Sequence, residues 1–321
     1  MEKRDNIPTR VGFGKGVKEA ASRNEKVIGL GADITGSVNM NFFADAFPDR
    51  FYSLGIAEQN ITGVAAGWAL EGFIPVMATY GVFAAMRNTD QIRISLCYNN
   101  VHAIIGGAHA GISVGPDGAT HQALEDIAIM RSLPNMTVLS PCDATQAEQA
   151  VQAAIEEING PVYIRFGREA VPDFIPKGMN FEIGKGQTLI EGNDLTIIAT
   201  GHMVWEALQA AELLRKEHIN ARVLNLHTIK PIDKKAIIKA STETGAIITA
   251  EEHQIMGGMG SAVAEILVSE APCAVEFVGV KDTFGESGQP EELMEKYQLT
   301  AKYIVKAAYK ALEKKNNERI N

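Results

Sequence analysis

One carboxylate stands out by its neighbours. In SLGIAEQNITGVAAGWALEGFIPV (53–76), Glu58 lies between a short apolar run and a segment of Ala, Gly, Ile and Val with helical character. Burying a charge there without a partner is unfavourable. Two readings follow: an exposed acid in the first turn of a helix, where the helix dipole favours it, or a buried acid placed to share a proton with a ligand. Downstream, Tyr80 and Phe83 in ATYGVF sit three apart where an apolar run ends. They are core aromatics, or ring platforms at the ligand-binding end of an open sheet. The segment GAHAGISVGPDGATHQALED (107–126) strings together Gly, His, Ser, Asp and Thr, with Asp117 and His121 four apart. It is too polar for core and reads as a ligand-binding loop on a rigid scaffold. With His109 the pair lacks the spacing of a tetrahedral metal site. In IRFGREAV, Arg165 and Arg168 suit bidentate capture of an anion, or a surface ion pair.

These residues need elements to hold them. Short apolar runs at 26–33, 73–80, 101–109, 136–142 and 161–167 read as strands, with helices between them at 121–132 and 144–158, the latter capped by Asp143. Runs that are apolar throughout and alternate with helices imply a mostly parallel sheet covered on both faces. Residues 169–193 break the rhythm with Pro, Gly and polar residues and read as a connection. Strands then resume at 195–200, 221–228, 244–251 and 274–280, with a helix at 203–217 carrying Val204, Leu208 and Ala211 on one face and a last helix at 300–314. The expectation is two doubly wound α/β domains, 1–170 and 194–321, joined by 171–193.

Composition sets the outer limits. A chain of 321 residues with 46% hydrophobic and 21% charged residues is long enough for two cored domains. A net charge of −9 spread along the sequence argues against nucleic acid as a partner. No apolar stretch is long enough for a membrane span, and MEKRDNIPTR lacks the apolar core of a signal peptide, so a cytoplasmic location is expected. Cys97, Cys142 and Cys273 are far apart and read as reduced, buried thiols. Neither a P-loop nor a GxGxxG motif occurs. The glycines of MGGMGS (256–261) suit close strand–helix packing as well as phosphate binding.

The motifs GIAEQN, ATYGVF, GPDGATHQALEDIAIMRSLPNMTVLSPCD and GPVYIRFGRE, in this order, resemble the C-terminal half of transketolase: a pyrimidine-binding domain to about residue 170, then the family's C-terminal domain. The resemblance implies that Glu58 exchanges a proton with N1′ of the aminopyrimidine of thiamine diphosphate. Tyr80 and Phe83 match the family's ring-packing aromatics, and Asp33 in GADIT matches an aspartate near the cofactor. Arg10, Ser37, His109 and Arg168 match the residues that hold the substrate phosphate. Asp117 and His121 match those that contact substrate hydroxyls and the oxygen of the intermediate. His109, Asp117 and His121 would share in acid–base work beside Glu58. One departure is Met86, next to Arg87, where the family's third aromatic is expected.

The family binds diphosphate and Mg²⁺ through a GDG motif in its N-terminal half, and no GDG occurs here. The resemblance therefore implies the small subunit of a split transketolase of pentose-phosphate type. Its diphosphate and Mg²⁺ ligands would lie on a separate N-terminal-type subunit, in an α2β2 assembly acting on sugar phosphates. Two relatives share GIAEQ. The 2-oxo-acid dehydrogenase beta subunit usually lacks the DGxTHQ loop, and deoxyxylulose-phosphate synthase tends to place arginine near His109. A non-catalytic assembly partner would tolerate losses at the matched positions, none of which is seen. His202, His227 and His253 read as structural, and the second domain as support for assembly.

Overall fold

The computed structural model of the protein describes residues 3–318. The first sheet runs Phe51–Ser53, Val27–Gly31, Ile74–Tyr80, Ile104–Ala108, Val162–Arg165, Thr137–Leu139 and Thr228–Lys230 in spatial order. Every neighbouring pair is parallel except the last. Val27–Gly31 and Ile104–Ala108 are buried at each residue, which is why they read as unbroken apolar runs: helices cover both faces of a parallel sheet. The second sheet orders Ala274–Val280, Ala246–Gln254, Leu195–Ala199, Ala221–Asn225 and Gln187–Ile190, again parallel save for its last strand. Two doubly wound α/β units result, as the sequence implies. No helix among the described residues is long and apolar enough to cross a membrane.

Local chemistry fixes the element ends. Asp143 caps the helix Ala144–Glu157: one carboxylate oxygen accepts from the Gln146 amide at 2.7 Å, the other from Phe174 and Ile175 at 2.8 and 2.6 Å. The expected helix at 121–132 starts later, at Asp126, and runs to Ser132. Residues before it are held as loop by the second domain. Gln122 donates to the carbonyls of Ile112 and Glu286, and the Gln254 amide donates to Leu124. Nor is 169–193 only a connection. Ala170–Pro172 pairs with Asn6–Pro8, and Gln187–Ile190 forms the antiparallel edge of the second sheet. Cys97 and Cys142 are buried, whereas Cys273 is only half-buried.

The two units are sewn together rather than merely adjacent. Thr228–Lys230, although it follows a strand of the second sheet, pairs antiparallel with Thr137–Leu139 of the first. One hydrophobic cluster accordingly runs from Ile61 and Met130 of the first unit through Ile229 to Val263 of the second. His227 sits at this crossing, its ring 4.2 Å from that of Phe181 and Nδ1 3.0 Å from the Thr228 hydroxyl.

Burial pushes the His227 imidazole down to about 4, below its ordinary value near 6.5 in an unfolded chain. The native state then refuses a proton that the unfolded state takes up. Stability is therefore full above pH 6.5 and is lost as the pH falls toward 4, by about 1.4 kcal/mol per pH unit for this one group. In urea unfolding series across pH 6.5 to 4.5, His227→Gln should show a shallower acid slope than wild type by this amount. Equal slopes would remove His227 from the acid response.

Candidate active site

The residues singled out in the sequence gather at one end of the first sheet. Five neighbouring parallel strands deliver them just past their carboxyl ends: Ser53 leads to Glu58, Gly31 to Asp33 and Ser37, Tyr80 to Phe83, Ala108 to His109, and Arg165 to Arg168. Open α/β sheets bind ligands at this edge, because the loops there leave a crevice between the helices that follow. Arg10 joins from the first turn of the helix Thr9–Arg23.

One half of the crevice gathers two arginines. Arg10 donates to the Ser37 carbonyl at 2.8 Å. The Ser37 hydroxyl lies 3.0 Å from the Tyr80 hydroxyl and 3.4 Å from His109 Nε2. The Tyr80 and His109 rings pack at a tilt, with centroids 4.2 Å apart. Across from them Arg168 donates to Asp117 at 2.8 Å. His121 meets Tyr80 and Phe83 edge-on, at 5.6 and 5.4 Å. Burial, reinforced by the charges of Arg10 and Arg168, pushes His109 down to about 3. Its imidazole is thus neutral near pH 7, a hydrogen-bond partner rather than a charge. The positive field for an anion comes from the two guanidinium groups. His109 holds a left-handed backbone, φ 53°, a strain that clusters at functional sites. Asp33, also left-handed at φ 63°, is exposed at the rim and joins no hydrogen bond of this cluster among the described residues.

The other half is built round Glu58. The residue is 2% exposed and opens the helix Glu58–Leu70, so it is a buried acid that also sits in the first helical turn, where the dipole favours it. Its partner is Arg87, whose Nη1 donates to the two carboxylate oxygens at 3.2 and 3.1 Å. The Arg87 guanidinium also covers the Phe83 ring, 4.0 Å from its centroid. Arg87 was not among the candidates from sequence. The signal was present in MRN, since a buried acid calls for a cation and Arg87 follows the one position that departs from the aromatic pattern.

The second domain backs the loop that carries His109, Asp117 and His121. Glu252 accepts from the Ser113 amide at 2.6 Å. Gly111, at φ 95°, lies so close that any Cβ there would overlap the Glu252 carboxylate. Burial disfavours charge on both Glu252 and His202, yet their mutual attraction across 3.5 Å holds the acid below and the imidazole above their usual values. Arg165 is not an anion site. It is buried, donating to Asp126 at 3.2 and 3.0 Å and to the carbonyls of Ala123 and Glu252 at 3.1 and 2.7 Å. The MGGMGS glycines likewise serve the chain itself. Glu251 accepts from the Met259 and Gly260 amides at 2.7 and 2.8 Å, filling the helix N-terminus where a phosphate would sit. Among the described residues no three His, Cys, Asp or Glu side chains converge as metal ligands.

Comparison with known proteins places this geometry. Residues 5–173 match the family model for the transketolase pyrimidine binding domain, and residues 184–304 match that for the transketolase C-terminal domain. The chain is 41% identical to the 6-deoxy-6-sulfo-D-fructose transketolase subunit SqwH of Clostridium sp. (strain MSTE9), over 93% of this chain and 92% of that protein. It is 39% identical to an apulose-4-phosphate transketolase subunit of Phocaeicola vulgatus, over 96% and 98%. Its fold superposes on a split gene transketolase solved as an inactive beta4 tetramer, with a TM-score of 0.90, 48% identity and coverage of 96% and 99%. Sheet order, strand-end crevice and both family models agree: the chain belongs to the transketolase family of thiamine-diphosphate enzymes and carries its pyrimidine-binding and C-terminal domains.

Proposed function

We propose that the chain is one subunit of a split transketolase that moves a two-carbon ketol unit from a ketose phosphate to an aldose phosphate. A separate N-terminal-type subunit would hold the diphosphate and Mg²⁺, in an α2β2 assembly in the cytoplasm. The working units are 1–170 and 194–321, with 171–193 between them lending the edge strand Gln187–Ile190 to the second sheet. The observation that carries this reading is the pairing, in one crevice, of a buried acid beside an aromatic face with a two-arginine cluster. Relatives named as transketolase subunits and a neighbour titled a split gene transketolase support the partner.

The residues fit the pyrimidine end of thiamine diphosphate. Glu58 and Phe83 already hold a planar, N–H-bearing group between them in the guanidinium of Arg87, and an aminopyrimidine presents the same kind of face and edge. When bound, thiamine diphosphate supplies the carbanion chemistry that a protein side chain cannot. This chain's own share is narrower. Glu58 exchanges a proton at N1′, Tyr80 and Phe83 wall the ring, and Asp33 flanks it. Arg10, Ser37 and Arg168 grip the sugar phosphate with His109, turning remote binding into orientation. His109, Asp117 and His121 hold substrate hydroxyls and relay protons to the reacting oxygen. Among the described residues Glu58 is engaged by Arg87 and Asp117 by Arg168, Asp33 stands by itself at the rim, and we assign the Mg²⁺ ligands to the partner.

Calorimetric titration of thiamine diphosphate with Mg²⁺ tests this, on the chain alone and on its mixture with a diphosphate-binding subunit. Binding only in the mixture is expected. Tight, Mg²⁺-dependent binding by the chain alone would sink the split-site reading.

A further inference from the structure

Arg87 touches both surfaces that the proposed function gives to the pyrimidine. It donates to both oxygens of Glu58 and lies 4.0 Å over the Phe83 ring. A guanidinium and an aminopyrimidine are both flat and both stack on aromatic faces, and with the exchanged proton on N1′ the pyrimidine also directs an N–H at the carboxylate. One ring face and one carboxylate edge cannot hold the two together.

We propose that Arg87 is a displaceable positioning residue: it holds the Glu58 carboxylate in place and swings off Glu58 and Phe83 when the aminopyrimidine enters. The inference rests on the proposed function and adds to it an internal competitor for the cofactor. The local structure allows the motion. The Arg87 side chain is 44% exposed whereas that of Glu58 is 3% exposed, so the arginine has water to move into and the acid does not. Arg87 ends a wide π-helical turn, Phe83–Arg87, and the next residue, Asn88, is buried and hydrogen-bonded to Thr62 at 2.7 Å. The backbone stays anchored and the side chain alone needs to turn. Met86 beside it is likewise exposed.

The energetic consequence is that cofactor affinity is lowered by the fraction of molecules in which Arg87 is docked. Arg87→Met removes the competitor and leaves Glu58 without its cation, so the assembled enzyme should bind thiamine diphosphate about tenfold more tightly than wild type. Arg87→Lys keeps a charge for Glu58 but no flat group for Phe83, and should fall between the two. Calorimetry on the complex of this chain with the diphosphate-binding subunit reads these affinities directly. Unchanged or weaker binding by both variants, beside measurable wild-type binding, overturns displacement and leaves the proposed function standing. No binding by the wild-type complex overturns both.

A thermal double-mutant cycle on Glu58→Gln and Arg87→Met guards against a variant that folds poorly. Their effects should be non-additive in the chain alone and become additive in the complex at saturating thiamine diphosphate. Coupling that persists at saturation would make Arg87 a fixed partner and end the proposal.

Discussion

Glu58→Ala in the assembled enzyme is expected to lower ketol transfer by on the order of 10²–10⁴-fold, the range of a lost acid–base group. The loss should fall on kcat, with sugar-phosphate KM nearly unchanged, because Arg10, Ser37 and Arg168 lie in the other half of the crevice and keep their contacts. The chain should stay folded. Alanine is at ease at a helix start, and the Arg87 left behind is exposed enough to take water as its partner. Glu58→Gln is the sharper variant, since it keeps the shape and removes only the exchangeable charge. Steady-state rates settle the matter: a variant with more than about a tenth of wild-type kcat would take Glu58 out of the proton exchange.

The largest stability effect is expected away from the crevice, at Asp126. This carboxylate is fully buried, accepting from the Tyr163 hydroxyl at 2.8 Å and from Arg165 at 3.2 and 3.0 Å. Asp126→Ala would strand the Arg165 charge in the core, at about 3–5 kcal/mol of unfolding free energy. Because Arg165 also ties the carbonyls of Ala123 and Glu252 together, the seam between the two domains should loosen with it. The double variant Asp126→Ala/Arg165→Met should recover much of the loss, as removing both charges of a buried pair is nearly neutral. Urea unfolding of the single and double variants decides it. A single-variant loss under about 1 kcal/mol would mean that water reaches Arg165 and the pair is not a buried one.

Much of this was legible in one dimension. Parallel strands buried on both faces write themselves as continuous apolar runs, and Asp143 before an alanine-rich stretch announces a cap. Glu58, Tyr80 and Phe83, and Arg168 stand out because they follow such runs, and Asp117 and His121 because their loop is so polar, whereas Arg10, Asp33 and Ser37 emerge only from the family resemblance. Other features depend on partners distant in sequence. Arg165 and Arg168 look alike on paper. Strand alternation puts Arg165 on the same face as Tyr163, toward Asp126, while Arg168 lies past the strand end and turns outward to Asp117. The late start of the helix Asp126–Ser132 is imposed by Gln254 and Glu286 of the other domain, which no local pattern reveals. Gln187–Ile190 is a short edge strand among polar residues, where exposure erases the apolar signal. Glu252 escaped notice as an acid at the end of an apolar strand, although it braces the loop that carries three of the candidate catalytic groups.

The strand Thr228–Lys230 also decides how the molecule can be divided. Separating the pyrimidine-binding half at the 171–193 connection would take that strand away and leave Thr137–Leu139 as a bare sheet edge. Unpaired backbone donors and acceptors in a flat row recruit strands from other molecules. A fragment designed from domain boundaries alone would therefore be expected to aggregate, whereas one that retains the crossing segment, or replaces it with a charged, non-pairing cap, keeps the edge closed.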